Sequence, residues 1–407
     1  MTTLATPESL GFSAERLARI DRFLGERYVA PGLLPCALLQ VARDGRLVHQ
    51  SVLGHASLER EQRLAEDTIF RIYSMTKPIT SVALMMLVEE GKVAIDDPVH
   101  RWIPAWRELG VYRSGMPGAF ATKPLDAPMR ILDLLRHTSG LTYGFQMRTP
   151  VDAAYRADHV DAFEAESPEA FVDALGRLPL EFSPGTAWNY SVSTDVVGYL
   201  VGLVSGMPFA EFVKRRILEP LGMHDTGFHV PDEKASRFAD CYITSPSGRL
   251  APAPPREFRK PPRAPSGGGG LVSTAADYMR FCEMLRRGGE LGGVRLLGPK
   301  TLALMRANHL PGRRDLAELS VSMFSESIYQ GVGFGLGFAM TTDPVKSGIA
   351  SSPGEYWWGG MASTAFWVDP VEDVCVVFLT QLIPSSSYPI RRELRTMINA
   401  AIVESRA

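Results

Sequence analysis

The stretch Arg71–Thr80, RIYSMTKPIT, places a serine three residues before a lysine, where a short apolar strand becomes an apolar helix. Residues i and i+3 share a helix face, so Lys77 can reach the Ser74 hydroxyl. Pro78 in the first turn fits a helix that starts near Met75. The partial positive charge of a helix N-terminus favours a developing alkoxide and disfavours a protonated amine. Apolar neighbours such as VALMM also help the lysine lose its proton. The chemistry this pattern offers is a serine nucleophile with a lysine base. The plainer reading is a capping serine with its lysine in water, and S-x-x-K alone does not separate the two.

Other stretches bear on that choice. No serine stands in a G-x-S-x-G sequence, which removes the nucleophile-elbow type of hydrolase. His137, in LLRHTSGL, reads as a structural histidine at a helix C-terminus rather than a triad member. In FSPGTAWNYSVS an extended segment ends at Tyr190 and a helix starts from Ser193. That junction can aim the Tyr190 hydroxyl into a cleft, although a single tyrosine is more often core. Gly359-Gly360, in EYWWGGMASTAFWVDP, sits on a strand, where glycine is unfavourable unless something must approach closely. The expectation is that a substrate lies along this strand and that a backbone N–H there meets an oxyanion. Tyr143, Phe145, Trp357 and Trp358 are candidates for the cleft wall, each equally suited to packing.

The elements that must position these groups follow from periodicity. Residues 13–28 carry Leu17, Ile20, Leu24 and Tyr28 at helical spacing behind a Ser13 cap. CALLQVARDGRLVHQSVLG reads as a hairpin turning at Asp44-Gly45. Helices fill the middle: KPITSVALMMLVEEGK, ILDLLRHTSG closed by Gly140, SPEAFVDALGRL, VSTDVVGYLVGLVSG and PFAEFVKRRILEPLG. A Pro-rich stretch between Ser245 and Gly270 is expected to be a long surface loop bordering the cleft. Strands return in GFGLGFAMT, EYWWGG, STAFWVDP and DVCVVFLTQL, and PIRRELRTMINAAIV closes as an amphipathic helix. The fold class expected is α/β: an antiparallel sheet built from both termini and flanked by helices (residues 1–72 and 290–407), with a mainly helical lobe, 73–289, inserted between.

Composition narrows the function. A chain of 407 residues with net charge −2 has no electrostatic footprint for nucleic acid or an anionic membrane. The apolar run VALMMLV is far too short to span a bilayer. MTTLATPESLGF has neither the basic start nor the apolar core of a signal peptide, so a cytoplasmic protein is expected. Four scattered cysteines form no C-x-x-C pair, and Cys36 and Cys375 read as buried thiols. The histidines show no metal-ligand spacing, and no metal or other cofactor is expected.

Taken together, the segments resemble the penicillin-recognising serine enzymes, whose pattern is S-x-x-K, then Y-x-N, then K-T-G. More narrowly the chain is similar to family VIII carboxylesterases, relatives of the class C β-lactamases, with a β-lactamase-like fold. LLRHTSGL, EPLGMHDTGF and GGGGLVSTAADYMRF match framework stretches of that family, and the likeness runs over nearly the whole chain. The resemblance implies Ser74 as nucleophile, Lys77 as the lysine of S-x-x-K and Tyr190 as the tyrosine of Y-x-N. It also implies an oxyanion hole from the backbone N–H groups of Ser74 and Met361. Trp358-Gly359-Gly360 falls where K-T-G would stand, and Val192 replaces the asparagine. Both departures remove a polar group that engages β-lactams. They imply an esterase for small, short-chain carboxylic esters, with at most weak β-lactam hydrolysis. An acyltransferase or a small-amide or peptide hydrolase on the same site is the alternative. A non-catalytic binding protein on this scaffold would have lost one of Ser74, Lys77 and Tyr190, and none is lost.

Overall fold

The computed structural model describes residues 4–322 and 329–407; the N-terminal stretch read above begins in residues 1–3, outside them. The main sheet has eight strands: β1 (Cys36–Arg43), β2 (Arg46–Ser57), β3 (Gln62–Arg63), β4 (Val332–Phe334), β5 (Ala339–Thr341), β6 (Tyr356–Gly359), β7 (Ala365–Asp369) and β8 (Val374–Leu379). Their order is β4-β5-β6-β7-β8-β1-β2-β3, antiparallel throughout. The β1–β2 turn uses Asp44 and Gly45, both at positive φ, as a two-residue hairpin loop requires. Across the centre β1 pairs with β8, with Val41 opposite Val376, so the two ends of the chain meet in mid-sheet.

Six helices matter for the argument: α1 (Ala14–Leu24), α2 (Thr76–Glu89), α3 (Ile131–Leu135), α4 (Ser193–Ser205), α5 (Ala275–Arg286) and α6 (Ile390–Ala401). The Ser13 hydroxyl caps α1 by accepting from Arg16 N–H at 3.3 Å. α1 and α6 cover one face of the sheet, burying Leu17, Ile20, Leu394 and Ile398 against Val41, Val376 and Phe378. α5 covers the other face, burying Phe281 and Leu285 in one core with Val377 and Leu379. Both faces of β8 are therefore dry, which is why VCVVFL shows no alternation. α2 is enclosed on all sides from Thr76 to Leu87. A helix apolar all round belongs in a core, and its lysine is buried with it.

Three expectations about elements need correction. α3 stops at Leu135 instead of running to Gly140, because His137 adopts a left-handed φ of 58°. The run GFGLGFAMT is not one strand but the hairpin β4–β5, bent at Gly335–Gly337. The Pro-rich stretch opens with a short pairing of Leu250–Pro252 with Tyr242–Thr244, and its end is not on the surface. Ser266–Gly270 is buried between α2 and α4.

The four cysteines are free, with Cys36, Cys282 and Cys375 buried. Among the described residues no single helix is long and apolar enough to cross a membrane.

Candidate active site

Ser74 lies in the 3-10 turn Tyr73–Met75, between the short strand Phe70–Arg71 and α2. That strand is pinned by pairing with Val272–Ser273. Tyr73 has a φ of 42°, a costly conformation for a bulky residue that persists only where its surroundings impose it. Here the buried Tyr73 ring packs edge-on against Phe258, 6.0 Å between centres. Ser74 is not the helix cap: Met75 holds that position and no side chain caps it.

One turn on, Lys77 is 1 % exposed. Its Nζ donates to Ser74 Oγ at 3.2 Å, to Tyr143 Oη at 3.0 Å and to the Gly268 carbonyl at 2.7 Å. Burial pulls its pKa down to about 7, partly opposed by the negative charge of Asp195. A large share of Lys77 is therefore neutral near pH 7 and able to take a proton. Tyr190 is buried, with its hydroxyl hydrogen-bonded to Ser74 and accepting from Trp358 Nε1 at 3.3 Å. Lys77 Nζ lies 4.5 Å from the centre of the Tyr190 ring. Burial raises the Tyr190 pKa, so the phenol keeps its proton at rest.

Ser74 and Met361 border two cavities. The wider, about 440 Å³, is walled by Tyr143, Phe145, Phe163, Val192 and Arg256. The narrower, about 70 Å³, is walled by Tyr190, Trp357, Trp358, Gly359 and Gly360. Every residue expected to serve catalysis, the oxyanion or the cleft wall thus borders one of them, except Lys77, which is sealed beneath. Phe145 is half open to solvent and stacks on Tyr143 with ring centres 4.6 Å apart. Trp357 also carries the Arg395 guanidinium 4.2 Å above its ring.

The glycines also answer to a close approach within the protein. A Cβ at Gly359 would collide with the Arg391 guanidinium, and one at Gly360 with the Ile72 carbonyl and the Thr364 hydroxyl. The close approach is made by the protein itself, which seats the end of β6 against the turn that carries Ser74. His137 does not touch Ser74. It is buried, bonded through Nδ1 to Ser191 Oγ at 3.3 Å, and packed 4.9 Å from the Tyr190 ring.

Sequence reasoning missed two things. Tyr143 was read as a wall residue, yet its hydroxyl is a direct partner of Lys77. Asp195 was not singled out. It is buried in the first turn of α4 and accepts from Ser266 Oγ at 2.5 Å and Gly268 N–H at 2.9 Å. The signal available was four consecutive glycines at 267–270, a run that lets backbone thread between two helices.

A family model described as Beta-lactamase matches residues 24–397. The chain belongs to the beta-lactamase family. It is a serine hydrolase of that family, and its kinship with family VIII carboxylesterases holds. Protein Rv1367c of Mycobacterium tuberculosis is 36% identical over 362 residues, covering 88% of each chain. Esterase EstB of Burkholderia gladioli is 32% identical over 404 residues, covering 93% of this chain and 94% of that one. Among solved structures, "EstCE1, a hydrolase with promiscuous acyltransferase activity" superposes with a TM-score of 0.79 at 26% identity, covering 98% of this chain and 99% of that one.

Proposed function

We propose that this protein is a carboxylesterase acting on small carboxylic esters through an acyl-enzyme on Ser74. The observation that carries the reading is the buried Lys77, its pKa lowered to about 7, with Nζ 3.2 Å from the Ser74 hydroxyl. Neutral Lys77 takes the Ser74 proton as Oγ bonds to the ester carbonyl carbon. The backbone N–H groups of Ser74 and Met361 stabilise the resulting oxyanion. As the intermediate collapses, the bond to the alcohol oxygen breaks and Tyr190 gives that oxygen its proton. Protonated Lys77 returns a proton to Tyr190. In the second half water attacks, its proton passes to Lys77 by way of Tyr190, and Ser74 leaves with a proton restored. The wall of both cavities is mainly apolar and aromatic, with Trp358 and Val192 in place of β-lactam-binding polar groups, which favours neutral esters. Short-chain model esters are the expected substrates.

The test pairs a short-chain p-nitrophenyl ester with a chromogenic cephalosporin, each also assayed with Ser74→Ala. We expect rapid ester cleavage, slow or no cephalosporin cleavage, and loss of about four orders of magnitude in the variant. Faster cleavage of the cephalosporin, or full activity in Ser74→Ala, refutes the reading. Acyl transfer to an alcohol on the same site is the second reading, supported by the acyltransferase activity named for EstCE1. An ester product formed in the presence of added alcohol distinguishes it from hydrolysis.

A further inference from the structure

Beneath the catalytic lysine lies a carboxylate that the mechanism above does not use. Asp195 is 6 % exposed and sits in the first turn of α4. A single oxygen, Oδ1, accepts both from Ser266 Oγ at 2.5 Å and from Gly268 N–H at 2.9 Å. The carbonyl of the same Gly268 accepts from Lys77 Nζ at 2.7 Å. The segment is tied to α2 as well: Thr80 Oγ1 donates to the Gly267 carbonyl at 2.8 Å, and Leu271 N–H donates to Thr76 Oγ1 at 3.1 Å. Glycine is required at 267 and 268, since a Cβ at Gly267 would meet the Thr194 carbonyl and one at Gly268 the Asp195 carboxylate. The chain Asp195–Gly268–Lys77 thus runs from α4 to α2 through one residue, whose N–H and carbonyl belong to successive peptide units.

We propose that Asp195 is a positioning residue for the reaction: it fixes the Gly268 carbonyl that aims Lys77 at Ser74, and it places a carboxylate behind that lysine. The inference rests on the esterase reading. The groups that face Lys77 are Ser74, Tyr143 and Tyr190, which are neutral at rest, His137, and Asp195. Burial and the charge of Lys77 push the His137 pKa well below its ordinary value, so that ring is uncharged. Asp161 and Arg256, ion-paired at 3.2 Å, both act on Tyr143, Asp161 also acts on Asp195, and Arg391 acts on Tyr190. Of these, Asp195 is the one whose negative charge raises the pKa of Lys77. A buried charge of opposite sign is an effective brake on deprotonation, because little solvent screens it.

The deciding variant is Asp195→Asn. Its amide oxygen can still accept both hydrogen bonds that Oδ1 accepts, so only the charge is removed. Lys77 then loses its proton more readily. The acid limb of kcat/KM for a p-nitrophenyl ester is expected to move to lower pH by about one unit. The rate of Ser74 labelling by a fluorophosphonate should shift in parallel. Asp195→Ala, which also frees Gly268, should lower kcat at least tenfold more than Asp195→Asn, with KM changed little. Circular dichroism melting identifies a variant that fails to fold, in which case Asp195→Ser, smaller and neutral, makes the same test. An acid limb that stays in place in a folded neutral variant overturns the proposal. A wild-type enzyme that the phosphonate does not label would instead remove the esterase reading itself.

Discussion

Lys77, the proposed base, links the proposed activity to stability. Its pKa is lowered from 10.5 to about 7 by desolvation, so the folded state binds its proton less readily than the unfolded chain does. Below about pH 7 both states are protonated, and the folded state bears the full cost of a buried charge. As pH rises towards 10.5 the unfolded lysine stays charged while the folded one is neutral, so the cost shrinks and then vanishes. Lys77→Met is therefore expected to melt at a higher temperature than the wild type. The gap should be widest below pH 7 and close as pH rises towards 10.5. The same variant should lose about three orders of magnitude in ester turnover, since the base is gone. Melting curves from pH 6 to 10 check the first expectation. An equal gap at every pH would contradict the burial of the charge.

At the scale of elements, the site depends on how β6 meets the turn before α2. Gly359 and Gly360 look in the sequence like an opening for substrate, but the space their missing side chains leave is filled by Arg391 and by the Ile72 carbonyl. Arg391, on α6, donates to the Gly360 and Thr364 carbonyls at 2.6 and 2.9 Å, binding that helix to the strand end. Gly360→Ala should push the Tyr73–Met75 turn away from Met361 and cost about 2 kcal/mol of stability. Because it separates the two N–H groups assigned to the oxyanion, kcat should fall far more than KM rises. Steady-state kinetics at 25 °C beside a thermal melt tests this, and a normal kcat in the folded variant would show that the contact does not set the geometry.

At the scale of the molecule, the two ends of the chain complete one sheet, and the terminal helices α1 and α6 seal its outer face. Ile398, fully buried there, lies in a core separate from the one that holds α2. Ile398→Ala should cost about 2–5 kcal/mol through the cavity it leaves, while kcat at 25 °C stays within about twofold of the wild type. A denaturant titration combined with an ester assay separates the two effects. A matching loss of kcat would mean that the outer layer controls the site.

Local chemistry was enough to place most of the elements and to single out the groups proposed to react. The Ser13 cap, the Asp44-Gly45 turn, the α2 start at Pro78 and the S-x-x-K spacing are all interactions between near neighbours, and near neighbours are what a sequence displays. The end of α3 and the fate of Ser266–Gly270 were not legible, because a backbone strained at His137 and a buried glycine turn are stabilised by partners remote in the chain. The same holds for Tyr143 on Lys77, 66 residues apart, and for Asp195 on Gly268, 73 residues apart. The sequence by itself determined which side chains could react and which helices and strands carry them. Only the tertiary structure decided how far Lys77 is dried out, which hydroxyls and carbonyls hold it, and why the glycines beside it are needed, because desolvation and close packing are made by contacts that no local pattern encodes.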